Sequence, residues 1–505
     1  MGKERKGIFG RWLRPRPATE LTSTRPTPAS APAPAPATTL RLDRRLLEAA
    51  VDENWTACID FGTAFSKIVM VRRHEPGATA ARYVRPLRIG PGSTPGFSPL
   101  MCPSALYIQQ ERIHFGERAF IIHANHDSDS RLRFESPKHC ISEPENRQLL
   151  DALAKEAEDP TQRFTRRRLL LLLLGFVVFR FYCALQNENV LEGRVPRLRI
   201  ARPAWEPEDE QAGEVLLIDL LARAFVLART IGARYETDEG LPVELAVSAL
   251  KLVEQVSEPS AHLQAKLIRT AAPSDCIQRG FVPEATAVAA AAIRPEQGRR
   301  RVFVVADVGA GTSDFGAFIT VPGPDRQGKI GECKSARHFV AKAGNFLDSQ
   351  VLTYLKKKNG LNSELPADLG PIAALNRQVR QYKEELFKQG ELSGRFKGKL
   401  EEFMSQPEVQ AFVKELRQRF GETLKVASQQ TKTMEQPPPV RVLLTGGGAD
   451  LPFVRELASM SLPNFLTPIE QDPTPPWVTA TNWSVSFRQL AVAIGGAMPS
   501  LPEQR

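Results

Sequence analysis

The sequence lacks the paired cysteines that a zinc site would need. Its six cysteines (Cys58, Cys102, Cys140, Cys183, Cys276 and Cys333) are scattered singly, with no CxxC pair. Most lie among apolar residues, which reads as reduced, buried thiols in a cytosolic protein. A membrane-spanning run is also missing. Leu169 to Phe179 is 11 residues long and sits between Arg166-Arg167-Arg168 and Arg180. A bilayer needs about 20, so a buried core helix is expected. No apolar segment follows the basic N-terminus, so no signal peptide is expected. Lys6 stands where N-myristoylation asks for Ser or Thr. Much of the net charge of +10 falls in the first 45 residues, so the charge does not point to a specific nucleic-acid-binding fold.

What is present begins with a basic tip, Met1 to Arg16, interleaved with Ile8, Phe9, Trp12 and Leu13. A Pro/Ala/Thr/Ser stretch follows. Such a composition cannot bury enough apolar area to offset chain entropy, so residues 1–50 are expected to be a disordered tail. Residues 1–16 are a candidate membrane-surface contact, and a plain solvated tail is the alternative. Beyond residue 51 strand and helix patterns alternate, which predicts an α/β fold. Strands are expected at 55–61, 66–73, 104–109, 197–202, 243–248, 302–307, 314–320 and 440–445. Helices are expected at 116–124, 147–156, 165–187, 208–230, 258–270, 284–293, 345–358, 371–389, 407–428, 452–460 and 484–497. Pieces 76–98 and 321–331 read as loops.

One pattern occurs twice. Ala57 to Val71 and Val304 to Ile319 each read as a buried strand, an Asp, a turn of small and hydroxyl residues, and a second strand. Small residues let backbone N–H groups approach phosphate oxygens. Thr63, Ser66, Thr312 and Ser313 add hydroxyls, and Lys67 adds positive charge. Asp60 and Asp307 end their strands, where a carboxylate can hold magnesium through its waters. A third element, Val442 to Pro452, is a strand, the triple glycine Gly446-Gly447-Gly448, and a helix opened by Pro452.

In this order and spacing the three motifs resemble the actin-like ATPase superfamily, and most nearly the ATPase domain of the seventy-kilodalton heat-shock chaperones. Asp60 to Ser66 follows that domain's first phosphate loop, Asp307 to Asp314 its second, and Gly446 to Pro452 its adenosine loop. Arg199 to Trp205, Gly280 to Ala287 and Ala343 to Asp348 resemble segments between them, so the resemblance covers roughly residues 55–500. It implies a two-lobed α/β fold of duplicated ribonuclease-H-like domains. Lobe I would span 51–300 and lobe II 301–475, with a helical subdomain at about 356–430. The last helix, in 476–505, would return to lobe I.

ATP or ADP with Mg2+ would lie between the lobes, against Asp60, Gly62, Thr63, Ala64, Lys67, Asp307, Gly309, Ala310, Gly311, Thr312, Lys383, Gly446, Gly447, Gly448 and Asp450. Asp60 and Asp307 would serve the metal. Asp314, Lys138 and Glu284 are the catalytic candidates. The chain departs from the family at Ala64 (a Thr there), at Val282 (a Glu that orients water), at Asp450 (an Arg that stacks on adenine) and at Arg380 (a Glu). Glu284 lies two residues beyond the family's acid. With eight residues after Ala497, no peptide-binding domain is expected. The resemblance therefore implies a slow ATPase that acts as a switch for a protein partner in the cytoplasm. A non-catalytic scaffold, a membrane-tethered filament former and a sugar kinase stand as alternatives.

Overall fold

The computed structural model describes residues 40–504 apart from 74–82, 92–96, 126–130, 189–192, 203–204, 206, 268–279, 297–298, 323–327 and 433. Cys276 and most of the expected tail lie outside the described residues. The end of that tail differs from expectation. Residues 40–50 join the folded body, because Leu46 and Leu47 of the short helix Arg45–Glu48 are buried in the first core.

The protein is mixed α/β and is organised by two six-stranded sheets. The first holds β1 (Val51–Asp60), β2 (Phe65–Arg72), β3 (Val84–Pro86), β4 (Val195–Arg202) and β5 (Phe281–Pro283) in the order 5-4-1-2-3, with Cys102–Pro103 also paired to β2. The second holds β6 (Arg301–Val308), β7 (Ser313–Val321), β8 (Lys329–Val340), β9 (Arg441–Thr445) and β10 (Ile469–Glu470) in the order 10-9-6-7-8, with Glu503–Gln504 beyond β8. Strand directions match as well. In each sheet the first three strands form antiparallel pairs, and the last two run parallel to the first. The buried apolar runs of β1 and β6 follow from this, since each is the central strand of a sheet covered on both faces.

Among the described residues three large cores hold the structure, beside a small fourth cluster at Ala105, Tyr107 and Ala119. The first packs helix Arg166–Asn187 on Pro207–Ile231 beneath the first sheet. Leu169 to Phe179 is buried throughout, so the apolar run is a core helix as expected, although the helix is 22 residues long and apolar enough to cross a membrane by length and composition alone. The second core lies under helix Pro407–Lys432. The third lies between the sheets. It joins Cys58, Val69 and Val71 to Phe303, Val305, Phe318 and Leu443 through the helices Glu284–Ala292 and Phe487–Ala497.

Three expected elements differ. Residues 243–248 form the start of a helix, Val243–Glu254, because the apolar positions Val243, Ala246, Val247, Leu250 and Val253 continue at helical spacing past the short window that suggested a strand. The 147–156 helix is displaced to Pro144–Gln148, with Pro144 opening it, and closes in a 3-10 turn at Leu149–Asp151. Within the 76–98 loop, Val84–Pro86 pairs with β2.

Candidate functional site

The hairpin motifs meet. Each central strand carries an aspartate at its carboxyl end, Asp60 as the last residue of β1 and Asp307 as the last but one of β6, and that is the end at which open α/β sheets gather ligand-binding residues. In the first hairpin Asp60 is paired in register with Lys67 on β2. Lys67 Nζ donates to Asp60 Oδ2 at 2.8 Å, and both side chains are largely buried. Gly62, Thr63 and Ala64 form the turn. The Ala64 carbonyl accepts from the Ser104 amide at 2.9 Å, and the Ser66 and Ser104 hydroxyls lie 3.0 Å apart, which ties the turn to the chain beyond it.

In the second hairpin the partner of Asp307 in register is Asp314. Thr445 Oγ1, at the end of β9, donates to Asp307 Oδ1 at 2.7 Å, and Thr312 Oγ1 donates to Asp314 Oδ2 at 2.7 Å. The turn is closed by the Gly309 amide donating to the Thr312 carbonyl at 3.0 Å. It is held from outside by the Asn345 amide donating to the Ala310 carbonyl at 2.7 Å. The two turns touch: a Cβ on Gly311 would collide with Thr63 Oγ1.

Glu284 and Lys138 complete the cluster. Glu284 opens the helix that follows β5, and Lys138 precedes the short helix His139–Ser142. Both are buried and they form an ion pair. Burial, opposed by Lys138 and reinforced by Asp314, Asp60 and Asp307, pushes the Glu284 carboxyl up to about 8. Burial also pushes Asp307 up to about 6; the Thr445 hydroxyl and Lys67 oppose this, while Asp314 and Asp60 reinforce it. Lys138 moves the opposite way to what its burial alone would do, because Glu284, Asp314 and Asp60 hold its proton. Val282 is buried between the sheets. Glu284, two residues on, feels the charges of Asp314, Asp60 and Asp307.

The glycine turn after β9 packs against the second hairpin. Gly446 has φ +81°, and a Cβ there would collide with the Val308 carbonyl, which also accepts from the Gly448 amide at 2.8 Å. Gly447 is open, with nothing near a Cβ. Asp450 points outward and pairs with Arg488 at 3.1 Å. Lys383 Nζ donates to the Gly344 carbonyl at 3.1 Å and pairs with Asp348 at 2.7 Å, beside the second turn rather than among the carboxylates.

The contacts that join the halves near the cluster were not foreseen in the sequence. Glu135 pairs with Arg380 at 2.6 Å, and Asn345 donates to the Ser136 hydroxyl. Ser136 has φ +62°, a left-handed conformation that marks a constrained turn. Thr445 was not foreseen either; its signal was a hydroxyl ending an apolar strand. Among the described residues no three His, Cys, Asp or Glu side chains form a group able to ligate a metal directly. No protein-family model matches this chain, and no curated protein matches it significantly.

Proposed function

We propose that the chain binds ATP with Mg2+ between two lobes of an actin-like ATPase fold, built from duplicated ribonuclease-H-like domains. It hydrolyses the nucleotide slowly, as a switch for a protein partner. The observation that carries this reading is the meeting of two equivalent hairpin turns beside a buried cluster of four carboxylates and two lysines. The repeated strand order of the two sheets supports the fold assignment, and the resemblance of the three loops supports the nucleotide.

A magnesium ion fits the chemistry of the cluster. Asp60, Asp307, Asp314 and Glu284 outnumber Lys67 and Lys138 by two, and burial with mutual repulsion raises Glu284 and Asp307. A divalent cation would relieve that excess. Because no three acids form a direct ligand group, Asp307 and Asp314 would hold it through water, while Asp60 is already paired with Lys67. When bound, the ion neutralises phosphate charge.

The chain's own groups do the rest. The backbone of Gly62 to Ala64 and Gly309 to Thr312 cradles phosphate. Lys67 and Lys138 supply positive charge. Glu284, fixed by Lys138 and raised by its surroundings, is the group best suited to take a proton from water.

Thermal denaturation with Mg-ATP tests the reading. Binding at a hundredfold excess over Kd stabilises by about 2.7 kcal/mol, and Asp307→Asn should abolish the gain. Phosphate release, expected to be slow, then separates an ATPase from a binder. The scaffold reading is favoured by two features: both lysines are already paired, and the turns already touch. A wild-type protein unmoved by millimolar ATP or ADP would establish it.

A further inference from the structure

A cationic site lies at the opposite end of β1 from the Asp60 turn, where the described residues begin and Val195 pairs with Val51. A cavity of about 390 Å3 is lined by Arg45, Arg194 and Arg229 over an apolar floor that includes Leu46, Leu185 and Val195. That size falls in the range of small-ligand sites, which combine apolar walls with a few convergent polar groups. One carboxylate organises two of the guanidiniums. Asp43 accepts from Arg45 Nε at 3.0 Å and from Arg45 Nη2 at 2.6 Å, and also from Arg229 Nε at 3.3 Å. Arg229 Nη2 stands 3.2 Å from the same carboxylate, and its guanidinium lies over the Tyr182 ring at 4.6 Å.

Asp43 therefore spends the Nε and Nη2 donors of both arginines and fixes their planes. Among the described residues it leaves the Nη1 donor of each without a hydrogen bond, and Arg194 has no acidic partner. Asp43 is itself held ionised, its carboxyl lowered to about 2 chiefly by the hydrogen bond from Arg45. Among the described residues three guanidiniums face one carboxylate, an excess of two positive charges. Planar donors fixed in advance suit a tetrahedral oxyanion, which arginine binds in forked pairs.

We propose that this cavity binds a phosphate monoester dianion whose apolar portion rests on Leu46, Leu185 and Val195. The charge of the ligand equals the excess on the rim, and the apolar floor asks for more than inorganic phosphate.

The test uses the full chain and phenyl phosphate as the probe, read by calorimetric titration and by thermal shift, with inorganic phosphate and phenol as comparisons. Phenyl phosphate should bind saturably at about millimolar Kd and more tightly than either comparison. Arg194→Glu, at an exposed position where folding should not suffer, should weaken it roughly tenfold or more. Arg194→Lys should restore part of the affinity. Asp307→Asn should leave binding intact, which separates this site from the hairpin cluster. No saturable binding overturns the proposal, and so does binding indifferent to Arg194→Glu. The source of the phosphate is read by flotation with vesicles containing phosphatidic acid or phosphatidylcholine alone. Flotation with phosphatidic acid that Arg194→Glu reduces assigns a lipid headgroup. Absence of that difference, with phenyl phosphate still bound, assigns a soluble monoester.

Discussion

The two hairpins share a plan and differ at one charge. Each central aspartate faces, in register, the residue seven positions on. For Asp60 that residue is Lys67, and for Asp307 it is Asp314. Opposite charges across a strand pair stabilise it, while like charges directly opposite destabilise it. The first hairpin is therefore neutralised within itself. The second concentrates negative charge at its turn and relies on Thr445 and Thr312 to hold its carboxylates. One backbone arrangement thus yields a settled element and a poised one. The unneutralised charge lies in the second.

This contrast can be broken from either side. The largest effect is expected from Lys67→Met, which leaves Asp60 buried without its partner. Losing one member of a buried pair costs about 3 kcal/mol or more. Urea unfolding should show that loss, and Asp60→Asn added to it should recover most of it. A cost under about 1 kcal/mol would mean that the first hairpin is not held by its ion pair.

A change of opposite sign is expected from Asp314→Asn, which removes the like charge. Asp307 is raised from its ordinary 3.8 to about 6, and Glu284 from 4.5 to about 8. The folded protein therefore keeps protons that the unfolded chain releases. The stability these groups contribute is complete below the ordinary carboxyl range and is lost as pH rises through 6 and then 8. The wild-type Tm should fall between pH 5 and 8 by roughly 5 °C, and the variant's should fall less. At pH 8 the variant should be the more stable protein while losing its response to Mg-ATP. Equal pH slopes in the two proteins would refute the like-charge account.

The smallest effect tests the contact between the hairpins. Gly311→Ala places a methyl against Thr63 Oγ1 and should cost about 1 kcal/mol, since a side chain tip can give way. Thr63→Ala in the same protein should return most of that loss. If the two changes simply add, the turns do not meet in solution.

Much of this was legible in the sequence because it is local. A central strand ending in Asp and followed by small residues announces itself within fifteen positions, and so does a strand running into three glycines. The α/β class followed from alternation, as did the core helix at 166–187. Two short elements misled. The first six residues of Val243–Glu254 are too few to separate helix from strand, and Val84–Pro86 is a strand only because β2 lies beside it. The site was harder. Lys138 and Glu284 could be named, but their pairing could not, since 146 positions separate them. The contacts of Glu135 with Arg380 and of Ser136 with Asn345 span still longer separations, and no residue type alone predicts them.

The interface between the sheets has a mechanical consequence. Helix Glu284–Ala292 carries Ala at six of its nine positions, and Gly495 and Gly496 of the last helix press against Ala287 and Cys58 so closely that a Cβ on either would overlap them. Side chains this small leave a surface with shallow relief. Where large residues interlock, sliding requires many rotamers to change together. Where these two helices cross, sliding would disturb methyl-sized features, while Phe303, Phe318 and Phe487 of the same core interlock around them. The joint has the texture of a bearing, and the same short helix that provides it begins with the glutamate of the charged cluster.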